Sequence, residues 1–373
     1  MPDSSRTTRR QFCQTALAGA ATLALPRVVT AKKTGATQTI TGVDGYLYEV
    51  DHNWAQLPSE YTWQTTHNVA VGSDGLVYVT HEGRFDQADH PSIFVFDPAG
   101  KLVRAFGEQF QGGGHGIEIR SEGGEDFLYL CVYKEQRSIA KLSATGDEVW
   151  RQGAPMESGF YHKDEEDYVR EKGDAPWGRN RFMPTNTAFH PDGSFYIADG
   201  YGAYRMLHYS AGGEWLGSFG KPGNDKKADG TFRLPHGIAL DARGDEPLVV
   251  VADRVNARLQ WFTPDGVHRQ TLDGFLLPAN VAFHGDLMMV PDLVGRVTLL
   301  DRNNKVVAQL GKDTERVQAD QKKHGGFRLR GEEGRWQDGK FIHPHDACFD
   351  AEGNIYVAEW VHRGRVTKMT RIG

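Results

Sequence analysis

The sequence predicts an all-β fold, a six-bladed β-propeller, and three observations carry that expectation. One unit recurs six times, at roughly four dozen residues per copy, inserts included. Each copy offers short apolar runs of strand length separated by turn residues, with Asp-Gly at Asp74-Gly75, Asp192-Gly193 and Asp265-Gly266. The third observation is a column of histidines at one position of the repeat. Gly114-His115-Gly116, Pro235-His236-Gly237 and Pro344-His345-Asp346 all open an inner strand.

In chain order, the inner strands begin near His67, His115, Thr185, His236, Ala279 and His345. The third unit shows the full plan. Asn186-Thr187-Ala188-Phe189 precedes the turn Pro191-Asp192-Gly193, then Phe195-Tyr196-Ile197-Ala198-Asp199, Met206 to Tyr209, and Trp215 to Gly220. The sixth unit lacks a fourth strand after Met369. Tyr46 to Val50 stands unclaimed before the first unit, so it is expected to complete the last blade and close the ring.

The 373 residues suit one long propeller domain over 46–373, with 32–45 as a linker. Residues 1–31 read as an export signal of twin-arginine type. Thr8-Arg9-Arg10-Gln11-Phe12 precedes the apolar run Thr15 to Leu25 and the small-residue site Val29-Thr30-Ala31. A periplasmic or extracellular location is expected, with no membrane span once the signal is removed. The formal charge of −6, with the basic residues of the signal set aside, leaves an acidic body without a basic stripe. Nucleic acid and anionic membrane are therefore poor partners. A monomer acting on a small molecule or peptide fits better. Cys131 and Cys348 fall on blades two and six, too far apart for a disulfide.

His115, His236 and His345 lie on alternate blades, about 120° apart around a six-fold axis. Three imidazoles with an open fourth position make a catalytic zinc arrangement, though copper, iron or nickel also accept imidazole. His67, on blade one, lacks an alternating partner and receives no ligand role. Asp346 follows a ligand directly and offers oxygen to a hard cation such as calcium. The turn Asp199-Gly200-Tyr201-Gly202 opens on the same side. Tyr201 either faces the metal, where a cation would lower its pKa and make it a base, or packs on its own turn. Arg84, in the matching loop of blade one, either clamps a carboxylate or is solvated. Asp199, Asp253 and Glu359 end their strands alike and read as structural caps. The long connections 155–182 and 312–341 are either lids or plain polar loops.

With these residues in place, the chain from about 46 to 372 resembles NHL-type propellers. More narrowly it resembles the peptidyl-α-hydroxyglycine α-amidating lyase family, through the three histidine motifs, Asp199-Gly200-Tyr201, and Ala252-Asp253-Arg254 with Asn256. The resemblance implies zinc at His115, His236 and His345, catalysis by Tyr201, calcium near Asp346, and release of glyoxylate from an α-hydroxyglycine substrate. One departure stands out. Glu82 occupies the place of a family Arg in the first-blade loop, so either Arg84 replaces it or the lyase reaction is lost. Two other classes are open: a non-enzymatic propeller that binds a protein or glycan, and a lactonase-type hydrolase.

Overall fold

Inner strands stand around one axis and carry the histidine column at their starts. The computed structural model describes residues 39–84, 86–167 and 177–373; the expected export signal and the start of the linker lie outside these. Six antiparallel sheets form the ring. Their inner strands are Thr66–Val71, Gly114–Glu122, Asn186–Phe189, Pro235–Asp241, Ala282–His284 and Pro344–Phe349.

Second strands are apolar on both faces because each is sandwiched between neighbouring blades. Phe195, Tyr196, Ile197 and Ala198 are all buried. Two of them, Phe195 and Ile197, join Tyr129, Cys131 and Ile139 of blade two in one cluster. The rings of Phe195 and Tyr209 stack there at 5.3 Å. Cys131 lies in that interface, and both Cys131 and Cys348 are free thiols. At the Asp-Gly turns Gly75, Gly193 and Gly266 hold φ of 79, 102 and 86°, the left-handed region that a side chain would strain.

The ring closes as expected. Tyr46–Asp51 pairs antiparallel with Arg365–Arg371, matching Val50 to Met369. Thr39–Val43, within the stretch read as a linker, adds a fifth strand outside it. Its five residues expose both large apolar side chains, Ile40 and Val43, whose odd spacing carries no apolar alternation to announce a strand. Tyr48 and Val50 are buried with Met369, Ile355 and Val357. No helix among the described residues is long and apolar enough to cross a membrane.

Closure by two distant segments makes the ring one cooperative unit. Replacing Tyr48 and Val50 together by Ala should cost about 5 kcal/mol. In a thermal melt this should lower the Tm of the whole ring by roughly 10 °C. Ile40→Ala on the exposed fifth strand is the control and should shift it by about 1 °C. Equal shifts for the two variants would mean that the closing strand does not hold the ring.

Candidate metal centre and its cavity

Each histidine of the column sits on a bulge of its inner strand. The pairing register shifts across His67, His115, His236 and His345, between Thr66 and Asn68, Gly114 and Ile117, Pro235 and Ile238, and Pro344 and Asp346. A bulge re-aims a side chain that the pleat alone would leave facing a neighbouring blade. The four imidazoles meet on the axis. Ring centroids lie 4.7 Å apart for His115 and His236, 4.6 Å for His236 and His345, and 4.9 Å for His115 and His345.

The three alternating histidines share one anchor. Nδ1 of His115 contacts the Thr185 carbonyl at 2.7 Å, Nδ1 of His236 the Ala279 carbonyl at 2.7 Å, and Nδ1 of His345 the His67 carbonyl at 2.6 Å. Every acceptor is the matching residue of the next blade. A carbonyl can only accept, so each Nδ1 carries the proton and each Nε2 is left as a bare lone pair. Glycine explains the His-Gly motif. A Cβ at Gly116 would lie 2.3 Å from the Thr185 carbonyl oxygen, and one at Gly237 would lie 2.4 Å from Asn280 Cα.

Nε2 of His236 lies 3.1 Å from Nε2 of His115. Burial holds His115, His236 and His345 well below the ordinary imidazole range, and neighbouring histidines and Arg254 push the same way. Neutral, acceptor-only nitrogens at this spacing repel unless a cation lies among them, and neutral imidazole is the form that binds metal. The donor set therefore fits a metal ion.

His67 joins this cluster, more closely than its isolation in the repeat suggested. Ligand atoms of His67, His115 and His345 lie within 4.8 Å of one another, a spacing one ion can bridge. Two trios thus compete. They differ in their support: His67 lacks the carbonyl anchor that His115, His236 and His345 share, since its Nδ1 is buried without a partner and its Nε2 lies 3.4 Å from Glu82.

Above the imidazoles stand residues of the loops that follow the second strands, Tyr201 after Phe195–Ala198 and Arg254 after Leu248–Asp253 among them. Acid caps hold most of these loops. Asp199 accepts from the amides of Met183 and Ala203, both at 2.7 Å, and from the Tyr161 hydroxyl at 2.9 Å. Asp253 accepts from the Arg233 amide at 2.8 Å, and Glu359 from the Ile342 amide at 2.7 Å. On blade one His81 replaces the acid, and its Nδ1 accepts from the amides of Gln64 and Gly83.

Held this way, Tyr201 puts its hydroxyl 3.0 Å from His236 Nε2 and 3.4 Å from His115 Nε2. It faces the imidazoles and does not pack only on its own turn. Burial pushes its phenol pKa up, against the expected lowering, while the Arg254 guanidinium opposes the rise. Arg254 Nη1 lies 3.4 Å from the Tyr201 hydroxyl. Arg254 is buried, and its Nε and Nη2 have no partner.

Arg84 stands elsewhere. Its guanidinium is engaged by Asp86, and it is not among the residues around the cavity above the histidines. Glu82 is bound by Lys134 at 2.7 Å. Arg254 carries a signal in the sequence, as part of the motif Ala252-Asp253-Arg254 and following Asp253 as Glu82 follows His81, but the motif alone assigns it no role.

Asp346 belongs to a second tier. His345 lines the upper cavity and Asp346 a lower one of about 310 Å³, with Glu118 and Asn280. Asp346 Oδ2 accepts from the Val69 amide at 2.9 Å, and Asn280 Nδ2 donates to its Oδ1. Burial raises its carboxyl to about 6 and pushes Glu118 well above the carboxylate range, the two acids reinforcing each other at Glu118. Asn280 Oδ1 is buried without a partner. Carboxylate and amide oxygens in this number are hard donors.

No protein-family model matches the chain. Among curated proteins it is 30% identical over 231 residues to human NHL repeat-containing protein 3, covering 59% of this chain and 57% of that protein. It is 28% identical over 213 residues to peptidyl-α-hydroxyglycine α-amidating lyase 1 of Drosophila melanogaster, covering 52% of this chain and 37% of that one. The chain thus spans about half, or less, of the length of these relatives. Among solved structures, virginiamycin B lyase from Staphylococcus aureus aligns with a TM-score of 0.53 at 13% identity, over 87% of this chain and all of that one. A putative gluconolactonase aligns with a TM-score of 0.52 at 12% identity, over 87% and 92%. At such identities these two structures show the fold alone. Taken with the ring of blades, the relatives make this chain an NHL-type six-bladed β-propeller that resembles the amidating lyase family.

Proposed function

We propose that the chain is an exported, zinc-dependent lyase that cleaves the C–N bond of an N-acylated α-hydroxyglycine, giving an amide and glyoxylate. The observation that carries this is one convergence. The Tyr201 hydroxyl contacts the bare nitrogens of His115 and His236, and Tyr201, His345 and Arg254, whose Nε and Nη2 lack a partner, line one cavity. The amidating lyase relative supports the reaction type.

His115, His236 and His345 would hold zinc through Nε2. Zinc, when bound, supplies Lewis acidity toward a substrate oxygen. Arg254 binds the substrate carboxylate through its free N–H groups. Tyr201 takes the hydroxyl proton, the carbon–oxygen double bond forms as the C–N bond breaks, and the proton passes to the departing amide nitrogen. Arg254, and more weakly Arg330, favour the phenolate. Arg254 thereby fills the need that the Glu82 departure opened, and Arg84 does not. The lower tier of Asp346, Glu118 and Asn280 would take calcium as a structural ion.

Metal analysis of the full chain should find about one zinc per molecule. His236→Ala should lose it and His67→Ala should keep it; the reverse result would move the site to the other trio. Tyr201→Phe should keep zinc and reduce glyoxylate release from an α-hydroxyglycine substrate by about 100-fold or more. Arg254→Lys should lower kcat/KM on the order of 100-fold, while Arg84→Ala should change it less than about threefold. A zinc-loaded, folded protein that releases no glyoxylate would leave a non-enzymatic binding protein as the better reading. A calcium chelator should lower the Tm of the wild type but not of Asp346→Asn, and equal shifts would remove the structural calcium.

A further inference from the structure

The cavity beside the metal centre has a volume of about 300 Å³ and an uneven wall. Five aromatic rings line it: Tyr133, Trp177, Tyr201, Phe327 and Trp360. Its other side chains are aliphatic, apart from Arg254 and His345. Among the described residues the wall therefore holds one permanent cation, no carboxylate and no side-chain amide.

The rings form two groups. Tyr133, Trp177 and Tyr201 touch one another, with centroids 5.1 to 6.0 Å apart. Phe327 meets Trp360 at 5.2 Å, and the Arg330 guanidinium lies 3.3 Å from the Trp360 ring centroid, clamping that ring from the insert at 312–341. Arg330 is itself tied to the Thr65 hydroxyl at 3.2 Å. Trp177 is 58% exposed although it faces the cavity. An exposed indole on a pocket wall is apolar surface for a ligand to cover. Both inserts thus supply wall residues, Trp177 from one and Phe327 from the other.

We infer that the substrate is a small apolar monocarboxylate, an α-hydroxyglycine acylated by a single aromatic group and not by a peptide. This rests on the lyase reading, and narrows it. Arg254 matches one carboxylate. A cavity of this size holds a ligand on the order of 15 non-hydrogen atoms. A peptide would bring a further backbone amide about every 3.5 Å, against a wall with no side-chain carboxylate or amide, where the hydroxyls of Tyr133 and Tyr201 and the indole N–H groups of Trp177 and Trp360 are too few to satisfy the added groups.

The test compares N-benzoylglycine with N-acetylglycine, neither of which can react, by calorimetric titration of the zinc-supplied full chain. N-benzoylglycine should bind on the order of 30-fold more tightly. Trp177→Ala should reduce that ratio at least about fivefold and Trp177→Phe should restore most of it; Trp177 is exposed enough for both variants to fold. Equal affinities in the wild type, or a ratio untouched by Trp177→Ala, would overturn the inference. The hydroxylated substrates separate the two readings. Discrimination between the glycines without glyoxylate from N-benzoyl-α-hydroxyglycine would sink the lyase and keep the pocket. Glyoxylate released equally well from the benzoyl, acetyl and tripeptidyl forms would keep the lyase and sink the pocket.

Discussion

The site depends on one kind of hydrogen bond, that from a histidine Nδ1 to the carbonyl of the matching residue on the next blade. It sets the tautomer and the ring orientation, and so aims the Nε2 lone pair at the axis. It also stitches blade two to three, four to five and six to one. The glycines after His115 and His236 exist for the same contact, because a Cβ would drive the neighbouring strand away. A change that opens a blade interface would therefore disturb the ligand geometry before it unfolds the ring.

The channel presents two chemistries within one residue of each other. His345 turns nitrogen toward the upper cavity, and Asp346 turns oxygen toward the lower one. A bulge at the strand start makes this possible, because it breaks the strict alternation that would send successive side chains to opposite faces. Neutral imidazoles suit a borderline metal, while carboxylates beside amide oxygens suit a hard one. The two tiers need not compete for an ion, since their donor atoms already sort the candidates.

Much of the architecture was legible in the sequence because it is repeated. Six apolar cores, Asp-Gly turns and a histidine column survive any single irregular copy, and Tyr46 to Val50 stood out as a strand without a blade. What could not be read were features that occur once. Thr39–Val43 is short, and its apolar residues Ile40 and Val43 are exposed and oddly spaced, so it lacks the alternation of a buried strand. Arg84 looked like an anion clamp until Asp86, two residues away, was seen to hold it. Arg254 hid behind the cap before it. Asp253 explains that turn structurally, and only three dimensions show the next side chain buried, with Nη1 beside the Tyr201 hydroxyl and Nε and Nη2 unpartnered. His67 hid by symmetry: its unmatched place in the alternation masked its contact with His115 and His345.

The shared last blade bears on biosynthesis. Its inner strand supplies His345, and its outer part is completed by Tyr46–Asp51 against Arg365–Arg371. A nascent chain can build blades one to five while still on the ribosome, yet it then owns only two of the three anchored imidazoles. The third arrives with residues 344–349, and its Nδ1 finds its acceptor, the His67 carbonyl, only when the last blade docks on the first. Under the proposed metal role, tight capture of an ion would thus be withheld from truncated or half-translated molecules. Metal occupancy would then mark a finished chain.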